Sequence, residues 1–251
     1  MLKKLTLVLG VGFLAGCAQA PAPTPTPNPT AKPTASQPAG PQYFRSEASG
    51  FAAYQRISKQ IDPIATRICR QQNQSKPATF CDFQFMVSKN PNQPPNAFQS
   101  VDRSGRPVIA FNSNMLRAVK NDDEIGFILA HETGHQIAGH LSKKRTNATA
   151  GGIFGAILAG VIGADAQLGA DLGSSIGVLQ YSKSFELEAD RLATHIAYRA
   201  GYNPLVGAQS FQRFGKEKSQ PLGTHPGSIE RVATVKATYN RILSGDRTIR
   251  W

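Results

Sequence analysis

Hydrophobic residues recur at helical spacing along most of the chain, and this pattern predicts a mainly helical fold. The first such segment covers residues 46–72, where an interruption is expected near Pro63 because proline lacks a backbone N–H. The next segment begins after Asn121 or Asp122, either of which can cap a helix, and is expected to run to about Leu141. Further helices are predicted at residues 184–200, from Pro204 onwards, and at residues 226–242.

Two short segments alternate apolar and polar residues and therefore predict strands. They are FCDFQFMV at residues 80–87 and RPVIAF at residues 106–111. Because helical segments dominate the rest of the chain, the pattern predicts an α+β fold that is mostly helical with a small β-sheet.

The N-terminal segment has the layout of an export signal. Two lysines precede an apolar run, residues 5–14, that is too short to span a bilayer. The residues LAGC that end at Cys17 resemble the lipobox of bacterial lipoproteins, in which the cysteine is lipidated. We therefore expect a signal peptide at residues 1–16 and a lipid anchor on Cys17. An ordinary signal peptide cleaved near Ala18 or Ala20 is the alternative.

The rest of the chain divides into a tether and one domain. Residues 17–42 are rich in proline and threonine without apolar periodicity, so they are expected to form an extended tether. Residues 43–251 are long enough for one domain with a substantial core. Ala18 stands where inner-membrane lipoproteins usually carry aspartate, and this resemblance implies the periplasmic face of the outer membrane.

The chain is strongly basic, with a formal net charge of +12 at pH 7. Of its 28 Lys and Arg residues two leave with the signal, so that the 16 acidic residues then leave a net charge of +10. An exported protein does not meet nucleic acid, and no basic motif with interleaved aromatic residues is present, so nucleic acid is excluded as a partner. Lipopolysaccharide or phospholipid head groups are the candidate anionic partners, and a solvated basic surface is the alternative.

Two cysteines remain beside the lipobox cysteine, Cys69 and Cys81. In an oxidising compartment an even pair predicts a disulfide, whereas a redox-active pair would need a closer CxxC spacing. A bridge that closes this loop is expected to stabilise the fold by roughly 3 kcal/mol.

The segment HETGH, residues 131–135, carries the candidate chemistry. On a helix His131 and His135 project from one face one turn apart, so both rings can reach one metal ion. Glu132 is offset by one residue and can reach a water bound to that ion. Two core histidines with other partners are the structural alternative, but Glu132 would then need a buried partner of its own.

A catalytic zinc ion takes three protein ligands and keeps the fourth position for water. We expect Glu186 to be the third ligand, and Asp190, on the same helical face, to orient a ligating histidine. Glu188 points nearly opposite, and an exposed acidic helix is the alternative for this segment. On a continuous helix His140 would point about 140 degrees away from His135, so we expect it at the surface or behind the ligands.

Three motifs together resemble the gluzincin zinc metallopeptidases of the HtpX, BepA and LoiP type. They are HETGH at residues 131–135, ELEAD at residues 186–190 and THPGSIER at residues 224–231. The resemblance covers roughly residues 43–245, and the lipobox makes the chain most similar to LoiP-like outer-membrane lipoprotein proteases. It implies a zincin-type metalloprotease domain built around the HExxH helix.

The resemblance also implies a set of site residues and one zinc ion per chain. The ligands are His131, His135 and Glu186, with Glu132 as the base and Asp190 behind the ligands. His225 and Arg231 are implied to lie near the site as candidate donors to the developing oxyanion. As an alternative, His225 occupies the open zinc position and holds the enzyme latent. Apart from the resemblance, one hypothesis for the segment RPVIAF is that it binds substrate as an extended strand through backbone hydrogen bonds.

A glycine-rich segment, residues 149–180, separates the two zinc motifs. Its longest apolar run, residues 153–164, is too short to span a membrane. A mobile lid or membrane-dipping segment and a buried hairpin in the core are equally compatible with its composition.

Two functions from different classes follow. The first is a lipid-anchored zinc endopeptidase that hydrolyses misfolded or misassembled envelope proteins, a role implied by the resemblance. The second is an envelope chaperone or binding lipoprotein with a structural or regulatory zinc site. Glu132 favours the first, because a structural zinc site needs no carboxylate beside bound water.

Overall fold

The computed structural model describes residues 42–89, 92–149, 181–214, 225 and 229–251. The predicted signal peptide, Cys17 and the proline-rich tether lie outside the described residues, as does nearly all of the glycine-rich segment 149–180. What the sequence predicts for them therefore stays a prediction.

The secondary structure confirms the predicted α+β fold, which is mostly helical with a small sheet. The helices of the described residues are α1 (Glu47–Gln72), α2 (Ser113–Ala118), α3 (Asp122–Ile137), α4 (His140–Thr149), α5 (Lys183–Arg199), α6 (Pro204–Gly207), α7 (Ser210–Phe214) and α8 (Ile229–Leu243). The strands are β1 (Gln84–Ser88), β2 (Ala97–Val101) and β3 (Pro107–Asn112), and a 3-10 helix covers Ala78–Cys81.

Helix α1 runs through Pro63 without a break, so the predicted interruption is wrong. Because Pro63 lies on the exposed side, the carbonyl that loses its intrahelical partner can bond to water, and the helix continues. The opposite side carries Ile57, Ile61, Ala65 and Ile68, all fully buried and spaced by three or four residues. This apolar face anchors α1 to the core.

A disulfide joins Cys69 of α1 to Cys81 of the 3-10 helix, with Cα atoms 5.7 Å apart. The structure thus contains the pairing that the sequence predicts. The bond ties the last turns of α1 to the segment that leads into β1.

The strands form one sheet in the order β1-β3-β2, in which β1 is parallel and β2 antiparallel to β3. The segment RPVIAF therefore supplies the central strand, and every residue of β3 is buried. The prediction that it binds substrate is wrong, because neighbouring strands already bond to its backbone on both sides. A chain that adds to this sheet must do so at β1 or β2.

Helix α3 contains HETGH and crosses the middle of the protein. As predicted, Asn121 caps it: the Asn121 side chain accepts a hydrogen bond from the backbone N–H of Glu124 at 2.9 Å. All its residues from Glu124 to Ile137 are buried, as expected for a helix surrounded by others.

The HETGH helix ends at Ile137, so the predicted end near Leu141 is wrong. Gly139 has a φ of 66°, the left-handed conformation that commonly ends helices. The chain changes direction there, and α4 begins at His140. Residues beyond Gly139 therefore do not follow the helical register of His131 and His135.

Helices α3 and α5 cross closely at the glycine of HETGH. A Cβ atom at Gly134 would lie 2.9 Å from the Ala189 carbonyl oxygen and 3.3 Å from Leu192 Cβ. Because glycine has no side chain, it permits this approach, and the HETGH and ELEAD motifs come face to face.

The later helices surround this pair. Helix α5 ends at Arg199, just before Gly201 with its φ of 89°, and α6 starts at Pro204, both as predicted. Helix α8 packs against α5. Within the described ranges, no helix is both long and apolar enough to cross a membrane.

Candidate metal centre

Side chains from distant parts of the chain converge where α3 meets α5. One nitrogen or oxygen atom from each of four buried residues lies within 4.8 Å of the others: His131, His135, Glu186 and His225. The first two come from α3, the third from α5, and the fourth from the segment that precedes α8. The fold therefore brings the three predicted ligands together with His225.

The spacing of these atoms matches the needs of a four-coordinate metal ion. Metal–ligand bonds of about 2.0–2.1 Å in a tetrahedral site place the ligand atoms roughly 3.3 Å apart. Here His131 Nε2 and His135 Nε2 are 3.0 Å apart, and each lies 3.2 Å from His225 Nδ1. Glu186 Oε1 lies 2.9 Å from His225 Nδ1 and 3.5 Å from His135 Nε2. Three imidazoles and one carboxylate form a donor set that suits zinc.

His131 is held from behind by a carboxylate. Its Nδ1 lies 2.9 Å from Asp190 Oδ1, so Nδ1 donates a hydrogen bond and Nε2 faces the other ligands. Burial and the charge of Arg231 lower the pKa of His131, but hydrogen bonds to Asp190 and Glu186 outweigh them and raise it to about 9. A metal ion at Nε2 would displace the proton that these carboxylates favour.

Arg231 is fully buried and links α8 to α5. Its Nε and Nη2 donate to the two oxygens of Asp190 at 2.8 and 2.7 Å, and its Nη1 lies 3.0 Å from Glu186 Oε2. The centroid of the Phe211 ring lies 3.5 Å from the guanidinium carbon. Burial alone would lower the pKa of Arg231, but the charge of Asp190 raises it. The guanidinium thus holds the carboxylates of Asp190 and Glu186 in place.

Glu186 is an ionised carboxylate inside the protein. Burial raises its pKa, but the charges of His225 and Arg231 outweigh burial and lower it well below the usual value. The ionised form is the one that binds a metal ion.

His140 lies inside the protein, so the prediction of a surface position is wrong, whereas a position behind the ligands is what the structure has. The turn at Gly139 brings its Nδ1 to 2.9 Å from His135 Nδ1, while its Nε2 lies 3.0 Å from Glu188 Oε2. Burial lowers the pKa of His140 to about 4, although the hydrogen bond to Glu188 opposes this. Burial also lowers the pKa of His135 well below its usual value. Both rings are therefore neutral at pH 7.

Tyr181 contacts the site although no motif contains it. Its ring stacks on that of His135, with centroids 4.0 Å apart and planes at 19°. Lys144 Nζ lies 4.2 Å from the Tyr181 ring centroid, and burial lowers the pKa of Lys144 to about 8. The signal for Tyr181 in the sequence is its place just before Ser182, the N-cap of α5, where a packed apolar residue is common.

Glu132 is fully buried, and neither of its carboxylate oxygens has a hydrogen-bond partner among the described residues. His225 Nε2 lies 3.5 Å from Glu132 Oε1. A buried polar group without a partner is unfavourable and therefore calls for an explanation. A water molecule held between Glu132 and the ligand cluster would satisfy it.

His225 completes the cluster on the side of Glu132. Zinc sites with four protein ligands are closed, whereas catalytic zinc sites leave one position for water or substrate. Because His225 Nδ1 lies 2.9–3.2 Å from the ligand atoms of the other three residues, it stands where that open position would be.

Comparison with known proteins agrees with this geometry. The profile of peptidase family M48 matches residues 55–239, which include HETGH, ELEAD and Arg231. The chain belongs to peptidase family M48. The predicted resemblance to LoiP-type and BepA-type enzymes and the predicted zincin-type fold are confirmed.

Three relatives of this M48 family member illustrate how far the similarity extends. Mitochondrial metalloendopeptidase OMA1 of Saccharomyces cerevisiae is 30% identical over 160 residues, 60% of this chain and 45% of OMA1. Metalloprotease LoiP of Escherichia coli is 25% identical over 224 residues, 76% of this chain and 85% of LoiP. A putative beta-barrel assembly-enhancing protease of Vibrio cholerae is 27% identical over 192 residues, 70% of this chain and 38% of that protein. The match thus spans less than half of two of these three relatives.

Proposed function

We propose that this M48 family member is a zinc-dependent endopeptidase with one zinc ion per chain, held by His131, His135 and Glu186. The observation that carries the proposal is the buried carboxylate of Glu132 beside those ligands, which makes no hydrogen bond to the described residues. A site that held zinc only for structural reasons would need no such group.

The chain's own residues divide the chemistry of peptide hydrolysis among them. A zinc ion held by His131, His135 and Glu186 would supply a Lewis acid for the scissile carbonyl and for the attacking water. Glu132 accepts a proton from that water and later donates it to the nitrogen of the leaving amine. No hydrogen bond to another described residue engages the carboxylate, so it is available for both transfers.

Asp190 and Arg231 position the ligands. Asp190 accepts the Nδ1–H of His131, which keeps Nε2 available for the metal ion. Arg231 fixes the carboxylates of both Asp190 and Glu186. We therefore assign Arg231 a positioning role in place of the oxyanion contact that the sequence suggested, since its donors are already engaged.

His225 holds the site in a closed, latent form. It lies within hydrogen-bonding distance of ligand atoms on both α3 and α5, in the place that water or substrate needs. Activation then requires His225 to leave that position. Once displaced, its ring is close enough to serve as a donor to the developing oxyanion.

Substrate binds along the outer edge of β2, whose residues from Ala97 to Ser100 are buried, so this edge has to be uncovered first. Among the described residues β2 pairs only with β3, and its Gln99 Nε2 donates to Oε1 of Gln136, the residue after His135, at 2.8 Å. Buried side-chain oxygens on and beside this strand have no partner in the described part of the chain: Asn96, Gln99 and Ser100. An extended peptide here would supply backbone partners with little dependence on its sequence.

The enzyme acts in the bacterial envelope on misfolded or misassembled proteins, anchored through a lipid on Cys17. The support is the lipobox-like LAGC and the similarity to a metalloprotease named LoiP and to beta-barrel assembly-enhancing proteases. The basic chain suits a surface rich in anionic head groups.

The central experiment uses the opened site: it compares full-length His225→Ala with the double variant His225→Ala, Glu132→Gln for zinc content and for cleavage of casein. We expect both proteins to bind one zinc ion, and the double variant to lose cleavage by about 10²–10⁴-fold because the base is gone. Equal cleavage by the two proteins would contradict the assignment of Glu132 as the base.

One observation favours the alternative, an envelope chaperone or binding lipoprotein with a regulatory zinc site. The cluster offers four ligands, which is the closed arrangement of structural sites. The variant His225→Ala separates the two functions. A latent protease gains cleavage and keeps its zinc, whereas a binding protein loses zinc affinity and remains inactive.

The anchor is tested separately with Cys17→Ser in the producing bacterium. We expect the wild type to sediment with outer membranes and to incorporate labelled palmitate. The variant should do neither, and a variant that still carries the label would exclude Cys17 as the acylated residue.

A further inference from the structure

His140 stands between a metal ligand and a carboxylate that reaches the surface. Its Nδ1 lies 2.9 Å from His135 Nδ1, and its Nε2 lies 3.0 Å from Glu188 Oε2. The His140 side chain is fully buried, whereas that of Glu188 is 25% exposed. Three side chains on three helices thus form one line of hydrogen bonds that starts at His135.

The two hydrogen bonds give a consistent arrangement of protons. Glu188 Oε2 accepts from His140 Nε2, which therefore carries the proton of the His140 ring. In a ring with one proton the other nitrogen has only a lone pair, so His140 Nδ1 accepts a hydrogen bond from His135 Nδ1. This leaves a lone pair on His135 Nε2, which lies beside His131 Nε2 and Glu186.

We propose that His140 and Glu188 form a relay that sets the tautomer of His135, so that its Nε2 is ready to bind the metal ion. The inference deepens the proposed function, because it rests on His135 being a zinc ligand. His140 is a positioning residue in this scheme, since it touches neither the metal position nor the substrate.

Packing holds the relay in place. The His140 ring stacks on Phe185 with centroids 4.3 Å apart and planes at 10°. Lys143 Nζ lies 3.8 Å from Glu188 Oε2 at the outer end. On the ligand side, Tyr181 covers the face of His135. The rings therefore keep the orientation that the proton arrangement requires.

The relay does for His135 what Asp190 does for His131. Asp190 reaches His131 Nδ1 directly, at 2.9 Å, whereas no carboxylate of the described residues contacts His135 Nδ1. Outer partners that orient ligating histidines typically change metal affinity about 10–100-fold when they are removed. An imidazole between ligand and carboxylate serves the same purpose over a longer distance.

The first test reads the tautomer of His135 in the metal-free, full-length protein labelled with ¹⁵N-histidine. We expect wild-type His135 to carry its proton on Nδ1. In His140→Phe, which keeps a ring against Phe185 but has no acceptor, we expect a mixture of tautomers. A wild-type His135 protonated on Nε2, or a tautomer unchanged in His140→Phe, would overturn the relay.

The second test measures zinc affinity by competition with a coloured chelator. We expect His140→Phe to bind zinc about 10–100-fold more weakly than wild type. His140→Asn, whose Oδ1 can replace the Nδ1 acceptor, should stay within about threefold of wild type. If both variants lose affinity equally, packing and not the acceptor is responsible, and the proposal fails.

Glu188→Ala tests the outer end of the relay, and Asp246→Ala is its matched control. Asp246 is 33% exposed and lies 3.6 Å from Arg250, much like Glu188 beside Lys143, but it is remote from the ligands. We expect a loss of about 3–10-fold in zinc affinity for Glu188→Ala, smaller than for His140→Phe because water can reach this position, and none for the control. Equal affinities in the two variants would remove Glu188 from the relay.

The two tests distinguish failure of the relay from failure of the proposed function. If the wild-type protein binds no zinc, the proposed function fails, and the tautomer of His135 in the metal-free protein still decides whether the relay exists. If zinc binds but His140→Phe changes neither affinity nor tautomer, the relay fails and the zinc site stands.

Discussion

The two histidines of HETGH lie one turn apart on the same helix, yet the protein supports them in different ways. His131 contacts Asp190, whose carboxylate is clamped by Arg231, and all three side chains are at least 97% buried. His135 contacts His140, which leads to the partly exposed Glu188. The first side is a closed ionic cluster, and the second side opens to water.

This difference shows where a water molecule can replace a side chain that has been removed by mutation. In the closed cluster, loss of one partner leaves an opposite charge buried and uncompensated. At the open end, water can take the place of a lost carboxylate at small cost. We therefore expect substitutions on the Arg231 side to affect stability far more than substitutions on the Glu188 side.

The largest effect is expected for Arg231→Met. Removal of the guanidinium leaves Asp190 and Glu186 buried without their main cation, so the free energy of unfolding should fall by about 3–5 kcal/mol. Urea unfolding of the full-length protein measures it, with Arg231→Lys as the control that keeps a charge. A loss below 1 kcal/mol would contradict the expectation that substitutions on the Arg231 side destabilise the protein far more than those on the Glu188 side.

A smaller effect is expected for Gly134→Ala at the crossing of α3 and α5. The added methyl would stand 2.9 Å from the Ala189 carbonyl oxygen, so the helices must move apart, at a cost of about 1–3 kcal/mol. Because Glu186 and Asp190 move with α5, zinc affinity should fall as well. Unfolding and chelator competition measured on the same variant check both, and a fully stable variant would contradict the close approach.

Gly139→Ala probes the turn that brings His140 into the site. Alanine in the left-handed conformation costs roughly 1–2 kcal/mol, and relaxation of the turn should displace His140 and weaken zinc binding. Gly245→Ala is the matched control, because its φ of 97° imposes the same penalty at an exposed position remote from the ligands. Equal zinc affinities in the two variants would mean that the turn at Gly139 does not position His140 beside His135.

The smallest effect is expected from a histidine that belongs to neither side. His195 is buried, neither ring nitrogen has a hydrogen-bond partner among the described residues, and burial lowers its pKa to about 4. The folded pKa lies below the unfolded value of about 6.5, so the contribution is complete above pH 6.5 and is lost as the pH falls toward 4.

Between pH 8 and pH 6 this contribution should fall by roughly 0.8 kcal/mol. The measurement is urea unfolding of wild type and His195→Leu at both pH values, with zinc saturating. We expect the variant to be at least as stable as wild type at pH 6, because leucine removes a buried ring without hydrogen bonds to the described residues, and to have the shallower pH dependence. A slope that does not change on substitution would show that His195 does not titrate in this way.

Much of the site could be predicted because its signals are local. The four-residue spacings of His131 to His135 and of Glu186 to Asp190 place each pair on one helical face, whatever the rest of the fold does. The cap at Asn121 has the same character, because the side chain bonds to a backbone N–H only three residues away.

The errors arose where two local signals competed. Pro63 is normally a helix breaker, but an exposed position and an apolar opposite face let α1 continue. Glycine is tolerated inside some helices and ends others; a helix continuous through Gly139 would place His140 away from His135, whereas the turn brings it close. In both cases the packing of the surrounding helices decided the outcome.

By itself, then, the sequence determined the helical content, the caps, the disulfide candidates and the metal-binding motif, because each depends on residues a few positions apart. Only the tertiary structure decided that RPVIAF is the central strand, that Tyr181 covers His135, and that His140 joins His135 to Glu188. These contacts depend on which faces of distant elements pack together. That choice is made by the whole core, with Gly134 and Gly139 setting how closely and in which direction the helices meet.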